Sequence, residues 1–406
     1  MALSRQFALT AALLAITSAP LVAQMSVSLT GKPQAALSEP FSLVGGVREL
    51  PGNKAIVLDS KDDRLVLADF ASGTVKDIGR KGSGPGEFQR PQSLFAAPGN
   101  VTWVPDVMLD KVHVISPDGK ISPTALVAPQ TNGAPMRMQS RGIDRAGRIY
   151  IQSMPTLGAG GVISDSVWVM RWTPSTNRVD TLAKVSSGMK ISASSSGNRQ
   201  SVMIRSKPFA SDDIWSVLPD GRLAMVHATP YRVDIIDGKQ VHAGTAVSYT
   251  PIKVTSEDRD ALRKAMTSGR PIVRTFSSGG GGGGGGAVPA PSVNSNTMGI
   301  PDEDFPSTKP PFVGPSSVKV SPEGQVWVLR SRAASDKVPT YDIFDSNGRL
   351  TGKATLNPNS IVVGFGEGTV YVARTDPEDD LVYVERYSRP SAASDTRAKP
   401  LGGGNK

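Results

Sequence analysis

Six times along the chain, a turn containing glycine gives way to a short run of alternating or continuous apolar residues. The copies read "LPGNKAIVLD", "APGNVTWVPD", "RAGRIYIQS", "PDGRLAMVH", "PEGQVWVLR" and "GEGTVYVAR", with turn glycines Gly52, Gly99, Gly147, Gly221, Gly324 and Gly368. Each copy has similar neighbours. An apolar stretch precedes the glycine, and a further strand-like run follows after a polar gap: "RLVLADF", "KVHVIS", "SVWVMRW", "YRVDIID", "PTYDIFD" and "LVYVERY". Most copies then turn again into a fourth strand, as at "TVKDI" or "RLTGKATL". Alternating apolar residues suit half-buried strands, and turn glycines supply the positive φ that tight hairpins need. The glycine intervals of 47, 48 and 44 residues fit one four-stranded blade each, and those of 74 and 103 need insertions. Four antiparallel strands repeated six times predict an all-β, six-bladed β-propeller spanning residues 24–390.

Two insertions and the way the ring closes follow from the same pattern. Residues 252–311 carry one helix at "TSEDRDALRKAM", with Thr255 or Ser256 as N-cap, before eight consecutive glycines at 279–286 that predict disorder. Residues 184–207 hold five Lys/Arg and no Asp or Glu, which reads as a basic, Ser-rich loop. The last repeat supplies only three strands before a polar tail at 391–406, read as disordered. The segment "MSVSLTG", Met25 to Gly31, is the expected fourth strand, closing the sheet edge of the last blade.

The beginning of the chain has a different pattern. Arg5 precedes a thirteen-residue apolar run, Phe7 to Ala19, and the "LVAQ" that follows predicts a signal peptide of residues 1–23. The product is then an exported protein of the periplasm or cell surface, without membrane insertion and monomeric. The chain has no cysteine, so disulfides, thiolate nucleophiles and cysteine-bound metals are excluded, and three histidines leave little for a metal centre. The net charge of +9 favours anionic surroundings.

One stretch looks like chemistry at first sight: "IGRKGSGPGEFQRP", Ile78 to Pro91. A Walker loop needs Lys-Ser or Lys-Thr after its second glycine, and none occurs. A dinucleotide fingerprint would need glycine where Glu87 stands. The stretch opens a run to Gly119 that resembles an NHL-type repeat: Gly-Pro-Gly, an acidic residue, Phe, Pro, then a turn glycine, a strand and an Asp-Gly turn. The whole chain from residue 24 resembles the NHL-like six-bladed propellers of exported bacterial proteins, mostly uncharacterised. The resemblance implies that these glycines carry the chain from one blade to the next, with Phe88 packing between them.

Propellers bind at the mouth of the central channel. Aligned from their turn glycines, the second strands end in the column Asp59, Pro105, Ser153, His227, Arg330 and Arg374, with Asp106 one step beyond Pro105. Asp59, Asp106, Ser153, His227, Arg330 and Arg374 are therefore the candidate ligand-binding residues. The two arginines suit a carboxylate or phosphate. The expected role is non-catalytic: binding a protein, an anionic glycan or a small anion, with no cofactor and no catalytic set. The alternative is a metal-assisted hydrolase or lyase using Asp59, Asp106 and His227. Two acids facing two arginines make a poor Ca²⁺ site, since that ion takes six to eight oxygens. Nucleic acid is not expected, because the basic residues are not interleaved with aromatics.

Overall fold

The structure is a computed structural model that describes residues 25–389, except 128–129, 132–133, 136–138, 154–163, 165, 187–189, 197–198, 206–207, 210–212 and 268–299. The expected signal peptide, glycine run and C-terminal tail lie outside the described residues.

Each of the six repeats forms a sheet, and together they make a six-bladed β-propeller. Blade 1 comprises Val44–Leu50, Lys54–Asp59, Arg64–Asp69 and Thr74–Asp77. Blade 2 comprises Phe95–Ala96, Thr102–Asp106, Lys111–Ile115 and Leu126–Val127. Blade 3 runs Gln139–Ile143, Ile149–Gln152, Ser166–Thr173 and Arg178–Ser186. Blade 4 runs Ile214–Val217, Leu223–Ala228, Tyr231–Asp237 and Gln240–His242. Blade 5 holds Val318–Val320, Val326–Leu329, Thr340–Phe344 and Leu350–Leu356. Blade 6 holds Ser360–Gly366, Thr369–Thr375 and Val382–Ser388. All six turn glycines adopt positive φ, between 69° at Gly368 and 93° at Gly221, where any side chain would be strained.

Apolar strand faces meet between blades. Six buried clusters each fill one blade-to-blade interface, such as Ile56, Leu58, Ile78, Phe88 and Val104 between blades 1 and 2. Phe88 sits there as the sequence predicts. The glycines before it wrap not a phosphate but the chain's own Glu87, whose carboxylate accepts the Gly84 amide at 2.8 Å and Arg80 Nε at 2.7 Å. A Cβ on Gly82 would lie 2.1 Å from that carboxylate.

The ring does not close as the sequence suggests. Met25–Leu29 pairs in parallel with Leu350–Leu356, adding a fifth strand to blade 5, with Val27 and Leu29 buried. The fourth strand of blade 6 is Ala35–Ala36, which pairs antiparallel with Glu385 and Arg386. Phe41 then bridges to Val382. Alternation located a strand correctly, but the buried partners of Val27 and Leu29 belong to the fifth blade.

Both insertions carry order. The helix spans Ser256–Thr267, capped by Thr255, whose Oγ1 accepts the Asp258 amide while Asp258 returns a bond to the Thr255 amide. Residues 184–207 are not simply a loop. Lys190–Ser196 and Arg199–Arg205 pair antiparallel, following an apolar alternation through Ile191, Ala193, Val202 and Ile204 that a reading for charge passed over.

Candidate functional site

The first strand of each blade is innermost. Successive first strands neighbour one another around the ring, and where they meet there is little room. A Cβ on Gly142 would stand 2.9 Å from the Val217 side chain, and one on Gly364 only 2.2 Å from the Val47 carbonyl oxygen. The predicted column ends the second strands, so it lies one strand out from the channel wall.

Each side chain of that column is engaged close to home. Asp59 is buried and accepts four backbone amides: Ser42 at 2.7 Å, Leu43 and Lys61 at 3.1 Å, and Asp62 at 3.4 Å. Asp106 does the same for Gln89 at 2.6 Å, Met108 at 3.0 Å, and Arg90 and Leu109 at 3.2 Å. Burial alone would raise the Asp106 pKa, but the His113 imidazole 3.5 Å away and these amides together hold it below the usual carboxylate range. Both carboxylates thus tie the loop entering a blade to the turn between its second and third strands. Ser153 Oγ accepts the Trp168 amide at 2.9 Å within blade 3.

The remaining three belong to ion pairs. His227 lies between two carboxylates, Nδ1 2.8 Å from Asp213 and Nε2 3.0 Å from Asp234, so neither nitrogen is free to take a substrate proton. Arg330 donates from Nη1 to Asp342 at 2.8 Å and lies over the rings of Tyr231 and Tyr249. Arg374 donates from Nε to Glu385 at 2.7 Å and covers Tyr383. Among the described residues, no group of three or more His, Asp or Glu side chains is placed to hold a metal ion.

The cations without such partners sit on the innermost strands, outside the predicted column. Arg48 lies in the first strand of blade 1, Arg141 in that of blade 3 and Lys319 in that of blade 5. Arg48 faces Ile56 and Lys319 faces Trp327, equivalent positions three residues before Asp59 and Arg330 of the predicted column. Arg141 occupies the bulge between Ser140 and Gly142, at neighbouring height. Arg48 Nε, Arg141 Nε and Ser140 Oγ are buried with no hydrogen-bond partner among the described residues. Burial lowers the pKa of Arg141, and of Lys319, with no opposing charge acting on either. Burial likewise lowers that of Arg48, in spite of nearby Glu49 and Tyr371. Glu49 turns to blade 6, where it accepts the Tyr371 hydroxyl at 2.8 Å and the Glu367 amide at 2.9 Å. Lys319 is enclosed by protein yet keeps some accessible surface, as a group facing an internal channel would. The signal that could have found them is a lone cation in an otherwise small or apolar strand, as in "SVKVS" and "QSRGI".

A concavity of about 590 Å³ opens beside blade 4 under the strap of residues 303–311. Phe209, Tyr249, Phe305 and several prolines line it, with Lys309, Glu303 and Asp304. Lys309 is committed there, donating from Nζ to Asp258 at 2.7 Å and to the Arg332 carbonyl at 2.6 Å.

No protein-family profile matches the chain, and no curated protein matches it. Among solved structures, it is similar to a protein designated as exported from Bacteroides fragilis, at 15% identity and a TM-score of 0.46, over 90% of this chain and 100% of that one. It is similar to a gluconolactonase from Xanthomonas campestris at 10% identity and a TM-score of 0.42, over 88% and 96% of the two chains. A member of a family of undefined function from Bacteroides vulgatus gives 9% identity and a TM-score of 0.43, over 88% and 98%. At such identities nothing of those proteins' activities carries over to this chain.

Proposed function

We propose that this chain is an exported, NHL-like propeller without catalytic activity, which binds a protein or an anionic ligand at the mouth of its channel. The observation that supports this is the set of donors lacking acceptors on the innermost strands: Arg48 Nε, Arg141 Nε and Ser140 Oγ. A buried donor left unpaired is destabilising by about 1–3 kcal/mol, more when charged, so a site that keeps several is shaped for an incoming acceptor. The mouth residues Arg330 and Arg374 would serve as a neutralised rim, and Lys319, Arg48 and Arg141 as the anchor below it. The charge of +9 and the signal-peptide pattern fit an anionic partner outside the cytoplasm. No helix among the described residues is long and apolar enough to cross a membrane.

A metal-assisted hydrolase or lyase has less support. Its candidate ligands Asp59 and Asp106 are each taken up by four amides, and His227 by two carboxylates. Melting of the purified protein at constant ionic strength tests the binding reading. Phosphate, citrate or heparin should raise the midpoint saturably while neutral maltose does not. Equal shifts with maltose, or none with any anion, would remove the case.

A further inference from the structure

Resting on the binding reading above, we propose that Arg48, Arg141 and Lys319 form one site inside the channel for a compact ligand carrying at least two negative charges, of the phosphate or di- and tricarboxylate class.

Placement is the first ground. The three cations come from the innermost strands of blades 1, 3 and 5, alternate members of a ring of six, at neighbouring heights fixed by register. Alternate blades of a six-fold ring lie about a common axis, so the three cation-bearing strands border the channel from three sides. Charge balance is the second. Arg330, Arg374, Arg148 and Arg232 are all matched to carboxylates within 2.8 Å, whereas no carboxylate among the described residues bonds to these three. The acid beside Arg48, Glu49, is held by Thr369, Tyr371 and the Glu367 amide. Each of these cations is enclosed without a carboxylate partner, and a monoanion would balance only one of the three charges. A di- or trianion balances more of them, and the free Nε–H groups of Arg48 and Arg141 supply charge-assisted bonds to its oxygens.

Space is the third ground, and it sets the ligand's size. Glycine stands at Gly142 and Gly364 because neighbouring first strands approach too closely for a side chain. Inner strands this close together leave no side entrance between blades at these points, so a ligand enters along the axis, which suits a small anion better than a folded protein or a thick polymer. Ser140, adjacent to Arg141 and likewise unpaired at Oγ, adds a neutral donor.

Titration calorimetry with the full mature chain, at fixed ionic strength, tests the proposal with inorganic phosphate, citrate and acetate as probes. Phosphate or citrate should bind at least about tenfold tighter than acetate. Arg141→Met and Lys319→Met should each weaken that binding about tenfold or more, while Lys319→Arg retains it within roughly threefold. Thermal melts of the same variants establish that they fold. Binding of citrate and phosphate no tighter than acetate, or unchanged in the folded Met variants, would overturn the proposal. If heparin still binds in that case, the wider anion-binding reading stands without the channel site. If heparin also fails, both fall.

Discussion

Tyr371 in the last blade donates its hydroxyl to Glu49 in the first, at 2.8 Å, across the seam where the ring closes. The same carboxylate accepts the Thr369 hydroxyl and the Glu367 amide, so one side chain gathers three donors of blade 6. Burial first, then the Glu49 charge and bond, push the Tyr371 phenol well above its ordinary pKa, and it stays a donor at physiological pH. Replacing Glu49 with Ala orphans these donors and should lower stability by about 3 kcal/mol, while Tyr371→Phe should cost about 1 kcal/mol. Urea unfolding of the two variants measures both.

The N-terminal segment makes two separable contributions. Removing residues 25–31 strips the fifth strand from blade 5 and unburies Val27 and Leu29, which should cost about 2–4 kcal/mol. Removing residues 25–41 also takes away Ala35–Ala36, Leu37 and Phe41 from blade 6, and should lower the melting midpoint much further. Equal midpoints for the two truncations would contradict this division.

Lys319 carries a functional penalty that mutation can expose. Its ammonium is enclosed without an acid, and burial lowers its pKa. Lys319→Met should therefore leave the ligand-free protein at least as stable, and up to about 1 kcal/mol more so, while weakening anion binding. A Met variant that melts clearly lower would mean that the lysine has a stabilising partner.

Stability should also fall in acid. Burial would raise the carboxyls of Asp106, Asp234 and Asp258, but the nearby His113, bonds from Arg232 and Lys309, and neighbouring amides outweigh it and lower all three below 3.8. The folded state then binds fewer protons than the unfolded one near pH 3–4. This contribution is fully present above an unfolded value of about 3.9 and is lost as pH falls through the folded values. Denaturant unfolding between pH 6 and pH 2.5 should show a plateau and then a decline starting near pH 4.

The repeat, the blade count and the inter-blade place of Phe88 were legible because turn glycines and strand alternation are local signals. Closure was only half legible. Alternation marks Met25–Leu29 as a strand, but which blade receives it depends on packing against Trp327, Tyr341 and Leu356, far away in sequence. The site was the least legible. Asp59 and Asp106 look like ligands in a column of strand ends, yet each is consumed by amides of loops whose course only the fold sets. No spacing singles out Arg48, Arg141 and Lys319, because an unpaired cation is recognised by the acids missing around it, and those are neighbours in space alone.

The most direct measurement is a crystal structure of the protein soaked in selenate, a divalent tetrahedral anion whose selenium scatters anomalously. The account predicts an anomalous peak within the channel, within bonding reach of Arg141 and of Arg48 or Lys319. An empty channel with anion density only beside Arg330 and Arg374 at the mouth would contradict it.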